Sequence, residues 1–137
     1  TERRDVAPQL RVLVVEDQPE VAEMFQTVLA RDPRLEVRIA TNGYDAGMLT
    51  ESFHPHLIIL DYMLPDLRGT VVCRRVRENP RFEQTRILCV SGIAQGEQVK
   101  GIIEAGADAF LKKPFDQAQL FDHVHRLLHL DSPQPQG

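Results

Sequence analysis

Five residues of this sequence have the types and spacing to do chemistry together: Glu16, Asp17, Asp61, Ser91 and Lys113. Glu16 and Asp17 close the run RVLVVED, Asp61 ends HLIILD, Ser91 ends RILCVS and Lys113 ends AFLKK. Short apolar runs of this kind become buried strands. In an open parallel sheet, ligands bind beyond the carboxyl ends of the strands. Four such strands would therefore bring three carboxylates, a hydroxyl and an ammonium to one edge. Clustered carboxylates disfavour one another's ionisation, and a divalent cation among them relieves that. Hard oxygen ligands with few protein contacts suit Mg²⁺, which keeps several waters and binds phosphate oxygens. A lysine across the pocket would hold the same phosphate as a point charge. Any one of the five alone reads as a loop or capping residue, and Asp17, just before Pro19, makes a credible helix cap.

The elements that must position these groups alternate regularly. RVLVVE (11–16) is apolar throughout, as a strand covered on both faces must be. From Pro19 the period changes: Val21, Met24, Phe25, Val28 and Leu29 form one helical face, ending near Asp32-Pro33. LEVRIA (35–40) alternates like a strand exposed on one side, which predicts an edge, and a second helix runs from about Tyr44 to Phe53. HLIILD (56–61) is the next buried strand, and Leu64-Pro65 keeps the following loop out of helix. A third helix carries Gly69, Val72, Cys73 and Val76 and stops before Asn79-Pro80. RILCVSG (86–92) is a further buried strand. Val99, Ile102 and Ile103 mark a fourth helix, with Gly106 placed as its C-terminal cap. AFLKK (109–113) and a helix carrying Leu120, Phe121, Val124, Leu127 and Leu128 complete a (βα)₅ series. That alternation predicts an α/β domain with a parallel sheet, helices on both faces and right-handed crossovers.

Composition sets the limits. The 137 residues fit one domain at 11–130, between polar tails at 1–10 and 131–137. A first residue of Thr rather than Met is what a fragment or a processed chain would show. No apolar run nears the roughly 18 residues that span a bilayer and no secretory pattern is present, so a cytoplasmic chain with no membrane partner is expected. The net charge of −4 argues against direct nucleic-acid binding, and Arg74, Arg75 and Arg77, the densest basic run, read as a solvated helix face. Cys73 and Cys89 lack metal-ligand spacing and read as reduced core residues. His54 and His56 flank Pro55 at a strand entrance, where a metal site is a minor reading. His123, His125 and His129 read as surface residues of the last helix.

With those residues in place, the sequence resembles the receiver domain of bacterial two-component response regulators. The likeness runs from about Arg11 to Leu128 and rests on VVED at 14–17, ILDYMLPDLRG at 59–69, CVSG at 89–92 and DAFLKKPF at 108–115. The resemblance implies a doubly wound, flavodoxin-like five-stranded sheet of order 2-1-3-4-5. It implies that Asp61 accepts a phosphoryl group and that Glu16, Asp17, Asp61 and the backbone carbonyl of Met63 hold Mg²⁺. Ser91 matches the hydroxyl position, Lys113 the lysine position and Phe110 the aromatic switch position, and a cis peptide is implied before Pro114. The implied partners are a sensor histidine kinase or histidine phosphotransfer protein and a downstream effector protein or domain, and a phosphorylation-dependent homodimer is compatible. Met63 and Ile93, two residues past Asp61 and Ser91, fall where the family tunes access of the hydrolytic water. Both are apolar, so slow self-dephosphorylation is expected.

Three other readings compete. An aspartyl-phosphate phosphatase of the haloacid-dehalogenase type would carry Asp-x-Asp after its first strand, but Pro19 stands two past Asp17 and Met63 two past Asp61. A nucleotide- or flavin-binding domain would want a glycine-rich turn that VEDQPE does not supply. A phosphorylation-independent interaction module would not need all five site residues.

Overall fold

The computed structural model describes residues 9–92 and 96–130; the tail readings at 1–8 and 131–137, and Ile93, lie outside them. Five parallel strands form one sheet in the order β2-β1-β3-β4-β5: β1 (Leu10–Val15), β2 (Leu35–Ala40), β3 (Leu57–Asp61), β4 (Arg86–Ser91) and β5 (Ala109–Lys112). Leu10, placed in the tail by the sequence, is the first residue of β1, hydrogen-bonding through its N–H to the carbonyl of Arg34. The helices are α1 (Pro19–Leu29), α2 (Gly43–Phe53), α3 (Gly69–Glu78), α4 (Gly96–Glu104) and α5 (Gln117–Leu127), with a 3₁₀ turn at Pro80–Phe82.

The central strands are apolar throughout because the sheet is covered on both faces, and successive side chains point to opposite sides. Leu13, Val15, Ile58, Leu60, Ile87 and Cys89 face α2, α3 and α4, where they meet Phe53, Val72, Cys73 and Ile102. Val12, Val14, Ile59, Leu88 and Val90 face α1 and α5, where they meet Phe25, Leu29, Leu120 and Val124. Burial pushes the Cys73 thiol up to about 12 and raises Cys89 as well, so both are protonated core side chains. The edge strand β2 leaves Arg38 exposed.

Local signals end the helices where packing needs them to end. α1 begins with Pro19 in the first turn. Its capping position is Gln18, with no side-chain cap bond, so Asp17 is not a cap. Asn42 caps α2 by accepting the Asp45 N–H at 2.8 Å. Gly106 closes α4 at φ +122°, donating its N–H to the Ile103 carbonyl while Ala107 donates to Ile102. Gly69 opens α3 against the backbone of the loop that follows β3: a Cβ there would lie 3.0 Å from the Tyr62 Cα. That close approach lets α3 start directly behind Asp61.

Candidate functional site

The carboxyl edge of the sheet collects the polar residues. Glu16 follows β1 and is 1% exposed, Asp61 ends β3 and is 8% exposed, and Asp17 stands open to solvent. One carboxylate oxygen from each of the three lies within 4.8 Å of the others. Lys113 reaches in from just past β5, its Nζ 3.1 Å from Glu16 Oε1 and 3.6 Å from Asp61 Oδ2. The Met63 N–H donates to Asp61 Oδ1 at 3.0 Å, and the Gln18 N–H donates to Glu16 Oε2 at 3.2 Å. Each oxygen of Asp61 thus has a different neighbour, which fixes the plane of the carboxylate.

Ser91 ends β4, buried, and its backbone carbonyl accepts the Lys113 N–H at 2.9 Å. The Lys113–Pro114 peptide is cis. Phe110 pairs with Cys89 in the β4–β5 register, half-buried against the α2–α4 side of the core. Beside Lys113 a mostly apolar hollow of about 490 Å³ is lined by Val21, Met24, Gly92, Pro114 and Phe115.

The electrostatics of this edge are strained. Burial raises the Glu16 carboxyl above the ordinary carboxylate range, and the charge of Asp61 adds to the rise; Lys113 and the Gln18 N–H offset it in part. One ammonium faces two of the three carboxylates, so a negative excess remains. The donor set is all oxygen, compact and under-neutralised, and it fits a small hard divalent cation.

Elsewhere the structure departs from the sequence reading. His125 is not a surface residue: it is 4% exposed, its Nε2 2.9 Å from Asp32 Oδ2, with its ring stacked on Phe121. Arg77 is not part of a solvated face either. It donates to the carbonyls of Gly106, Phe82 and Thr85 and pairs with Asp108 at 2.7 Å, while Arg74 and Arg75 do face solvent. His56 Nδ1 accepts the Arg11 N–H at 2.9 Å and the His54 ring packs at a tilt against Phe82. A residue the sequence reading passed over, Asp66, accepts the N–H groups of Gly43 and Tyr44, so the loop after Asp61 holds the first turn of α2.

The family model of the response regulator receiver domain matches residues 12–125. The DNA-binding dual master transcriptional regulator RpaA of Synechocystis is 31% identical over 128 residues, covering 93% of this chain and 52% of that protein. The phosphate regulon transcriptional regulatory protein PhoB of Rhizobium meliloti is 30% identical over 125 residues, covering 90% of this chain and 54% of that one. This chain spans about half the length of these two relatives. Among solved structures, a response-regulator receiver domain from Bermanella marisrubri is 39% identical with a TM-score of 0.80 over 88% of this chain and 98% of its own. A putative response regulator from Chloroflexus aurantiacus is 33% identical with a TM-score of 0.82 over the same shares.

Proposed function

This chain belongs to the response regulator receiver family, and from that premise we propose that Asp61 accepts a phosphoryl group with Mg²⁺ bound beside it and that the change is read out through Ser91 and Phe110. The observation that supports it most is the meeting of Glu16, Asp17, Asp61 and Lys113 at one sheet edge. Glu16, Asp17, Asp61 and the backbone carbonyl of Met63 would hold Mg²⁺, which supplies charge neutralisation for a phosphoryl group in flight.

The chain's own groups do the rest. An oxygen of the Asp61 carboxylate attacks phosphorus in line; the new O–P bond forms as the bond to the donor breaks. The Met63 N–H holds Oδ1 and orients the carboxylate. Lys113, already facing Oδ2, meets the phosphoryl oxygens as charge spreads over them. The donor is the phosphohistidine of a sensor kinase or phosphotransfer protein, or a small phosphodonor, and the hollow beside Lys113 gives it an apolar surface to approach. The product is a mixed anhydride that water later cleaves, so the only reactions catalysed are the chain's own phosphorylation and dephosphorylation. The Ser91 hydroxyl then engages the new oxygens, Phe110 follows it inward, and the altered surface around α4, β5 and α5 meets a downstream effector or a second phosphorylated copy. The setting is cytoplasmic, without direct nucleic-acid contact by this chain; among the described residues no helix is long and apolar enough to cross a membrane.

Two consequences can be measured. A raised carboxyl value in the folded state means stability is fully present below the ordinary glutamate value, about 4.3, and is lost as pH rises through the raised one. Glu16→Gln is therefore expected to melt at a higher temperature than the native chain at neutral pH without metal, and to lose the stabilisation that Mg²⁺ gives the native chain. Calorimetry with and without Mg²⁺ reads both effects. Met63, half exposed beside Asp61, cannot orient a water, so the phosphoryl group should persist far beyond a few seconds without a phosphatase; loss within seconds would contradict this.

The test of the function is intact mass after incubation with acetyl phosphate. One adduct that requires Mg²⁺ is expected. No adduct from acetyl phosphate or from any phosphorylated kinase would instead support a phosphorylation-independent interaction module.

A further inference from the structure

The outer face of α2 and α3, next to the loop that follows Asp61, carries knobs beside a hole. Tyr44 and Met48 on α2 are 73% and 70% exposed, the most exposed large apolar side chains among the described residues. They border a groove of about 370 Å³ floored by Leu67, Val72 and Val76. Tyr, Met and Arg are the side chains enriched in protein interfaces, and an exposed apolar cluster beside a cleft marks an interaction site.

The two banks of the groove differ in charge. Glu51 stands on the α2 bank and Arg75 on the α3 bank. Arg75, like its exposed neighbour Arg74, makes no ion pair among the described residues. Glu51 meets Arg81 at 2.9 Å and accepts from Asn79 at 3.2 Å, both at the surface; exposed pairs of this kind exchange partners at little cost. We propose that the occupant of this groove is a second copy of the chain, docked about a two-fold axis so that Tyr44 and Met48 of each copy enter the groove of the other. A two-fold contact presents the same patch from both sides. It lays the acidic α2 bank of one copy along the basic α3 bank of the other and sets Glu51 opposite Arg75 twice. The face is separate from the surface of α4, β5 and α5 and does not require phosphorylation.

Sedimentation equilibrium on the full chain, native and variant, from micromolar to millimolar concentration tests this. The native chain should show a concentration-dependent dimer without phosphodonor. Met48→Glu should be monomeric throughout. Arg75→Glu and Glu51→Arg should each weaken association tenfold or more, because like charges then face each other across the interface. The double variant Arg75→Glu/Glu51→Arg should restore it. Met48 and Arg75 lie outside the phosphorylation machinery, so far-ultraviolet circular dichroism and phosphoryl uptake from acetyl phosphate should be unchanged in Met48→Glu and Arg75→Glu; that keeps a failure here distinct from a failure of the phosphoacceptor site. A native chain monomeric at millimolar concentration, or a dimer that Met48→Glu and the charge reversals leave intact, would overturn the proposal.

Discussion

Asp61→Asn should fold as the native chain does and take up no phosphoryl group from acetyl phosphate, a loss of at least about 10³-fold, since removing an enzyme's nucleophile costs more than that. The amide is nearly the same shape as the carboxylate, and its Oδ1 still accepts the Met63 N–H. It is, however, a poor nucleophile, and a stable phosphoryl adduct on it is not expected. Misfolding can be told apart from this. The charge of Asp61 helps to raise Glu16, so its removal relieves repulsion and the variant's melting temperature should equal or exceed that of the metal-free native chain. A variant that melts normally and still gains a Mg²⁺-dependent adduct would remove Asp61 from the role of acceptor.

The second large effect concerns stability at the far end of the sheet. Asp32→Ala is expected to cost about 3 kcal/mol, because breaking a buried charged pair leaves the other partner uncompensated. Asp32 is 2% exposed and accepts from Arg34 Nε at 2.9 Å, Arg34 Nη2 at 2.7 Å, the Arg34 N–H at 3.0 Å and His125 Nε2 at 2.9 Å. Without it, buried His125 has lost its carboxylate and α5 its tie to the turn before β2. For a domain of this size that loss corresponds to a fall in Tm of roughly 10 °C. The Arg34 side chain beside Asp32, and then its backbone N–H and His125, hold the carboxyl well below the ordinary aspartate range despite burial. A lowered value contributes stability that is present above the unfolded pKa, about 3.9, and is lost as pH falls toward the folded one. The gap between native and variant should therefore be full at pH 7 and narrow only as the pH falls below about 3.9. Thermal melts of both chains across that range measure it, and superimposed melts at neutral pH would show that the contact carries no stability.

The sequence made some of this plain and hid the rest, for physical reasons. β1, β3 and β4 were legible because a strand buried on both faces must be apolar at every position, as Val12–Val15 and Leu57–Leu60 are. The residues at their carboxyl ends follow directly, which is why the sequence alone points to Glu16, Asp61 and Ser91. The strand order could not be read from periodicity, because nothing in one strand's pattern names its neighbour; it rested on the family likeness. His125 was misread because its burial depends on Asp32, 93 residues away in sequence. Its position one turn beyond Phe121, next to the buried Val124, was the available sign. Arg77 was misread in the same way, since the carbonyls it satisfies belong to the turn after α3 and the loop after α4. The hold of Asp66 on α2 also crosses from one loop to another, and a linear pattern does not show it.

The most direct measurement of the central idea is chemical location of the acyl phosphate. The native chain is phosphorylated with acetyl phosphate and Mg²⁺, reduced with tritiated borohydride, which converts an aspartyl phosphate to a labelled alcohol, and sequenced by tandem mass spectrometry. Label confined to residue 61, and absent when Mg²⁺ is chelated, is the expected result. Label on any other carboxylate, or none despite a mass adduct, would contradict Asp61 as the phosphoacceptor.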